Sequence, residues 1–208
     1  MNAKDLTLIV VAKDEQSMRG FDQTHVNAAH TVLVINYWQQ PLSQLANYWL
    51  ATSWPDVFGL CHADALFGPG ALDIFAQTAG EGAVCGMVGR CADPATHVWS
   101  VHKLHLDQHP LFKEGPISTL DAVSVFFRRD SGLRFDAMNF DGFHMHVEDL
   151  CMQAHEKGIP VVVPPAEAST NCSTPFAGKW GQDCLMYRDR LRKKWAPVKI
   201  ATTTDGVK

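Results

Sequence analysis

VFGLCHADALF, residues 57–67, decides how the rest of the chain is read. Val57 to Cys61 is a short apolar run rich in strand formers; it stops at His62-Ala63-Asp64, and Gly68-Pro69 then signals a helix start. A buried strand that carries an imidazole and a carboxylate to its carboxyl end, directly before a helix, is where an open α/β sheet places a ligand. His62 and Asp64 are two residues apart, so on extended backbone they point the same way and could share one divalent ion. The plainer alternative is that Asp64 caps the turn and His62 is a satisfied polar residue.

Upstream, Leu6 to Ala12 and Thr31 to Ile35 are continuous β-branched runs, the pattern of strands buried on both faces. The polar stretch between them, Gln16 to His30, predicts little helix. Pro41 opens a helix whose apolar face is Leu42, Leu45, Ala46, Trp49 and Leu50. Downstream of Pro69, Leu72, Phe75, Ala76 and Ala79 form another helical stripe. Strand–helix alternation predicts right-handed crossovers and, by default, a parallel sheet. Ala83 to Val88 reads as a fourth strand, and Ala122 to Phe127 and Ile159 to Val163 as two more. Gly89 to Thr119, with His97, His102, His105 and His109, is an irregular segment with one strand expected near Val98 to Leu104; loops this long inside a compact domain are often functional. Trp180, Cys184, Tyr187, Leu191 and Trp195 mark a last amphipathic helix, whose polar face carries the cations of residues 188–194. The tail beyond Ile200 is expected to be disordered.

With 208 residues, 46% hydrophobic and 19% charged, the sequence fits one α/β domain with a substantial core. A net charge of -4 supplies no basic field for nucleic acid, which is excluded as a partner. No apolar run reaches the ~18 residues of a membrane span, and the N-terminus lacks a signal-peptide pattern, so a cytoplasmic protein is expected. The six cysteines are scattered with no CxxC pair, which predicts free thiols and no thiolate-bound zinc.

A second dense patch of chemistry is His144-Met145-His146 followed by Glu148-Asp149. Val147, Leu150, Cys151 and Ala154 define a buried helix face ended by Gly158, so both carboxylates fall in the first turn, off that face. The macrodipole alone would favour them there, by roughly 0.3–1 kcal/mol each. Asp14, Asn36 and Asn47 are turn or cap formers that become functional only if the fold gathers strand ends together.

Taken in order, the strands, then DVFGLCHADALFGPGALDIF, then FDAMNFDGFHMHVEDLCMQAHEKGIPVVV resemble the family 2-like glycosyltransferases of the GT-A fold, in particular small bacterial enzymes that build lipopolysaccharide and related glycans. The resemblance covers residues 5–175 by order of elements and is specific in the two quoted stretches. It implies a mixed, mainly parallel central sheet flanked by helices, with a nucleotide-binding part over about 1–90 and an acceptor part over about 91–200. It implies a nucleotide-diphospho-sugar donor, a glycan or lipid-linked acceptor, inverting transfer in polysaccharide biosynthesis, and Mn²⁺ or Mg²⁺ as cofactor. By the same resemblance Ala12, Asp14, Asn36, Asn47, His62 and Asp64 face the nucleotide and its diphosphate. Asp149 stands in the position of the catalytic base, with Glu148 beside it. Two departures accompany it: the first acidic position of the metal motif is His62, and a metal-ligand or diphosphate-contact position after the last strand is Asn171, which either takes a weaker version of that role or is substituted by His144 or His146. The basic helix suggests peripheral contact with anionic lipid at the inner membrane face.

Inverting transfer needs one carboxylate to deprotonate the acceptor and a charge-stabilising group at the departing diphosphate. Two other classes compete. A metal-dependent hydrolase would use His62, Asp64, His144 and His146 as ligands and Glu148 to activate water. A non-catalytic sugar-nucleotide-binding protein would explain the departures at His62 and Asn171 as lost turnover.

Overall fold

The computed structural model describes residues 1–36, 39–52, 55–91, 97–99, 117–170 and 178–202. Of the first two strands, the one at Leu6–Ala12 forms as its pattern requires, whereas the one at His30–Ile35 is an edge strand, exposed or half-exposed along its whole length rather than buried on both faces. β1 (Leu6–Ala12) is buried at every position, sending Leu6, Leu8, Val10 and Ala12 to one face of the sheet and Ile9 and Val11 to the other. β2 (His30–Ile35) pairs parallel to β1 on one side and β3 (Val57–His62) parallel on the other. Asp14 caps a single short helix, α1 (Glu15–Arg19), in the polar stretch between β1 and β2.

α2 (Leu42–Thr52) buries Leu42, Ala46 and Leu50, with Leu45 and Trp49 partly covered. α3 (Ala71–Gly80) lies on the opposite face and fully buries Leu72, Phe75, Ala76 and Ala79. Its Phe75 ring stacks on Phe126 at 4.6 Å between centroids, and Gly59 makes room for that pair, because a Cβ there would stand 2.7 Å from the Phe126 ring.

The expected strand 83–88 is divided in two, β5 (Val84–Cys85) and β6 (Val88–Cys91). Gly86 explains the break: its backbone runs so close to the Ser124 carbonyl that a Cβ would lie 2.5 Å from that oxygen. β6 leaves the main sheet to join β7 (His97–Trp99) and β8 (Ile117–Leu120) in a three-stranded antiparallel sheet, so the segment 89–119 holds more strand than its sequence suggests. The rest of that segment, with His102, His105 and His109, lies outside the described residues.

β9 (Ser124–Arg128) overturns the all-parallel default, since it inserts antiparallel between β3 and β5. α4 (His146–Glu156) turns Val147, Leu150, Cys151 and Ala154 into the core and is followed by Gly158 at φ +70°. β10 (Val161–Val162) pairs parallel with β5 and completes a six-stranded mixed sheet in the order β10-β5-β9-β3-β1-β2, with only β9 reversed. Two three-residue strands not expected from the sequence, β4 (Ala65–Phe67) and β11 (Ala168–Thr170), pair antiparallel beside the main sheet. The result is α3 on one face and α2 with α4 on the other.

α5 (Gly178–Lys194) builds a third, smaller core from Cys184, Tyr187 and Leu191 against Phe140, Met145, Met152 and Ile200. Its basic face is not wholly solvent-facing, because Arg190 and Lys194 donate to the carboxylates of Asp141, Asp136 and Asp149. Nor does order stop at Ile200: the Thr119 hydroxyl donates to the Ala201 carbonyl at 2.7 Å, and Thr202 is fully buried. The remaining tail, 203–208, lies outside the described residues. Among those described, no helix is long and apolar enough to cross a membrane.

Candidate active site

The parallel pairing of β2, β1 and β3 aligns their carboxyl ends. Ile35 lies opposite Ala12, and His62 opposite Val11. Backbone bonds extend the alignment past the strands, Asn36 N–H donating to the Ala12 carbonyl at 2.8 Å and Ala63 N–H to Val11 at 2.9 Å. β9 runs the other way, so its amino end arrives at this same edge; His62 N–H donates to the Val123 carbonyl at 3.0 Å. That brings in Asp121, whose carboxylate accepts from Val123 N–H at 3.0 Å.

The amino end of α4 joins the group. Met145 precedes it in the left-handed region at φ +63°, an uncommon conformation for a side chain this size, and is held there with 1% of its surface exposed. His146 is wholly buried, and neither ring nitrogen has a hydrogen-bond partner. Burial first, and then the neighbouring His62 and His144, push its pKa down to about 3, so the ring is neutral. Burial also lowers the pKa of His144, against the pull of Asp183 and Asp121. Glu148 is 3% exposed and its Oε2 has no partner. Burial, followed by the charge of Asp121, pushes its carboxyl up to about 8. On the strand side, Asp64 also carries a buried oxygen, Oδ1, without a partner.

Asp149 differs from its neighbour in every respect but burial. Its Oδ1 accepts from Lys194 Nζ and from Trp195 Nε1, each at 2.7 Å, and its Oδ2 from Gln153 Nε2 at 2.9 Å. Lys194 also reaches Asp136 at 2.8 Å. Burial raises the Asp136 carboxyl, but hydrogen bonds from Asn139 and Lys194 outweigh it and hold the pKa at about 2.

His62, Asp121, His144, His146 and Glu148 thus lie within electrostatic reach of one another, and Asp64 follows His62 by two residues, in the turn after β3. Three other expected residues are held locally. Asp14 accepts from Ser17 N–H at 2.7 Å as the α1 cap, and that bond, its largest influence, lowers its pKa. Asn36 makes a two-way bridge to the Gln40 backbone, and Asn47 does the same to Phe135, donating to its carbonyl at 2.7 Å and accepting from its N–H at 3.0 Å. Ala12 offers only backbone. Asn171 lies outside the described residues. Asp121 and the Lys194–Trp195 pair were not singled out from the sequence; the position of Asp121 just before a strand was the available signal.

An orphaned Asp64 oxygen suits a hard cation. No group of three or more His, Cys, Asp or Glu side chains among the described residues is arranged to hold a metal.

No family model and no curated protein sequence matches the chain. Among solved structures it is similar to a mutant of the Drosophila beta-1,4-galactosyltransferase 7 in complex with manganese, UDP-Gal and xylobiose, at 14% identity over 93% of this chain and 81% of that one, with a TM-score of 0.46.

Proposed function

We propose that the chain is a glycosyltransferase of the GT-A type, moving a sugar with inversion from a nucleotide-diphospho-sugar to an acceptor hydroxyl on a glycan or lipid-linked glycan. The observation that carries this reading is one sheet edge with two kinds of carboxyl group. Asp64, after β3, has an unpartnered buried oxygen, and the Glu148–Asp149 pair opens α4, whose first residue, His146, has the strand-end His62 as a charge neighbour. Two such carboxyl sites suit a reaction that takes a proton from an acceptor hydroxyl and releases a charged diphosphate. A divalent cation bound at Asp64, with His62 or His144 beside it, would neutralise charge on the departing diphosphate. The carboxyl ends of β1 and β2, at Ala12 and Asn36, would receive the nucleoside through backbone groups, since the Asn36 side chain is committed to Gln40.

The test is thermal unfolding with UDP, GDP, UDP-glucose, UDP-galactose and GDP-mannose, each with and without Mn²⁺. A ligand bound only by the folded state raises stability by about 2.7 kcal/mol at a hundredfold excess over Kd. A nucleotide-dependent rise in Tm that grows with Mn²⁺ and shrinks in Asp64→Asn is expected. No shift with any of the five removes the reading.

A further inference from the structure

The main sheet has two edges, and the molecule guards only one of them. β10, at one end, is two residues long and offers little backbone to another chain. β2, at the other, runs six residues in unbroken register with β1, from His30 opposite Thr7 to Ile35 opposite Ala12. It carries no proline, no bulge and no Asp, Glu, Lys or Arg, the devices that ordinarily keep an edge from pairing. Among the described residues, no strand lies on its outer side. Asn36 N–H donates to the Ala12 carbonyl, so Thr31, Leu33 and Ile35, which alternate with the residues bonded to β1, turn their N–H and C=O groups outward.

The surface around this edge is apolar and uncharged. Val32 and Val34 on β2 and Leu45 and Trp49 on α2 pack against the same core yet stay half-covered. Leu33 is 43% exposed and Tyr48 61%. Residues 23–55 contain no Asp, Glu, Lys or Arg, in a chain that is 19% charged, and they hold five of its nine Tyr and Trp residues. Aromatic enrichment with charge depletion is the composition found at the centre of a protein interface. An anionic lipid surface would call for cations that this stretch lacks. A second copy of the chain needs none, and with a net charge of -4 on each copy a neutral face is where two copies meet with least repulsion.

We propose that two copies of this chain join β2 to β2, antiparallel, about a two-fold axis through Leu33, so that two six-stranded sheets become one. Residues directly opposite in an antiparallel pair share a face of the sheet, and centring on Leu33 satisfies that rule. Leu33 then lies opposite its own copy, Val32 opposite Val34 and Thr31 opposite Ile35, and the outward backbone groups of 31, 33 and 35 close the ladder. A six-residue edge alone falls short of the roughly 800 Å² per partner that a stable dimer buries. The same axis sets both α2 helices on one face of the joined sheet, where Tyr48, edge-on to Trp49 at 5.2 Å, adds to the contact. The two β2 strands run in opposite directions, so the two candidate active sites lie at opposite ends of the extended sheet, whatever reaction they carry out.

Light scattering coupled to size exclusion, over a dilution series from micromolar to sub-millimolar, is the test. Wild type is expected at twice the mass of one chain. Leu33→Glu and Leu33→Lys are each expected at the mass of one, because they set like charges directly opposite across the axis. Mixing the two variants should restore the dimer, since the opposed charges then attract. A wild type that stays monomeric throughout, whatever else its aromatic face binds, overturns the proposal, and so does a dimer that survives in both variants. Register is read by oxidising Leu33→Cys and Thr31→Cys, the native cysteines among the described residues being buried. L33C should cross-link to itself and T31C should not, because Thr31 lies opposite Ile35. If the charged variants fail to fold, the cysteine pair decides: cross-linking at 33 and not at 31 supports the proposal, and the reverse, or none at either, overturns it.

Discussion

At the scale of single residues, Glu148 makes the molecule sensitive to pH in a direction opposite to ordinary paired carboxylates. Its carboxyl titrates near 4.5 in an unfolded chain and at about 8 in the fold. Below pH 4.5 both states hold the proton and the residue costs nothing. Between 4.5 and 8 only the folded state keeps it, so stability falls as pH rises and reaches its full penalty above 8, on the order of 3 kcal/mol by the neutral range. E148Q carries no such penalty. Its Tm advantage over wild type should be absent at acidic pH and open as pH rises towards 8, measured by thermal unfolding across that range; an advantage independent of pH would refute the account. The sequence displayed Glu148 and Asp149 as a pair in a first helical turn, and His62 and Asp64 at a strand end. It could not separate the members of the first pair, because the partners that distinguish them, Lys194 and Trp195, come from another helix. For Asn36 and Asn47 the sequence shows an amide but not the backbone it clamps, which is four residues on at Gln40 for Asn36 and far along the chain at Phe135 for Asn47.

Elements carry the site to its place. Asn47 on α2 holds the backbone of Phe135, and the Phe135 ring lies 6.0 Å from that of His146. Asn47→Ala removes both bonds and leaves a backbone N–H and C=O without their partner, at a cost of about 1–3 kcal/mol. That loss should appear as a lower denaturation midpoint with unchanged slope, and a midpoint equal to wild type would show the clamp to be dispensable. The helices were legible in advance because apolar residues recur at their period, as Leu72, Phe75, Ala76 and Ala79 do in α3. The direction of β9 was not, since a strand buried on both faces, such as Ser124–Arg128, has the same composition whichever way it runs. β4 and β11 are three residues each and too short to display a period.

For the whole molecule, the mixed α/β class followed from the alternation of patterns, whereas the departure of β6 into a separate three-stranded sheet begins at one glycine, Gly86, whose backbone passes too close to the Ser124 carbonyl for a side chain. The reversed strand has a consequence for synthesis. β1, β2 and β3 pair with one another within the first 62 residues, but the other edge of β3 is covered only by β9, which begins at Ser124. β5 has already been made by then and has no place in the sheet until β9 arrives to separate it from β3. A nascent chain therefore carries an apolar strand edge, VFGLCH, through the production of some sixty further residues. Open edges of this kind recruit other chains. A chain ended before Ser124 should accordingly self-associate in light scattering, and one ended after Arg129 markedly less. The strand that delivers His62 to the site is thus also the one most in need of shelter while the protein is being made.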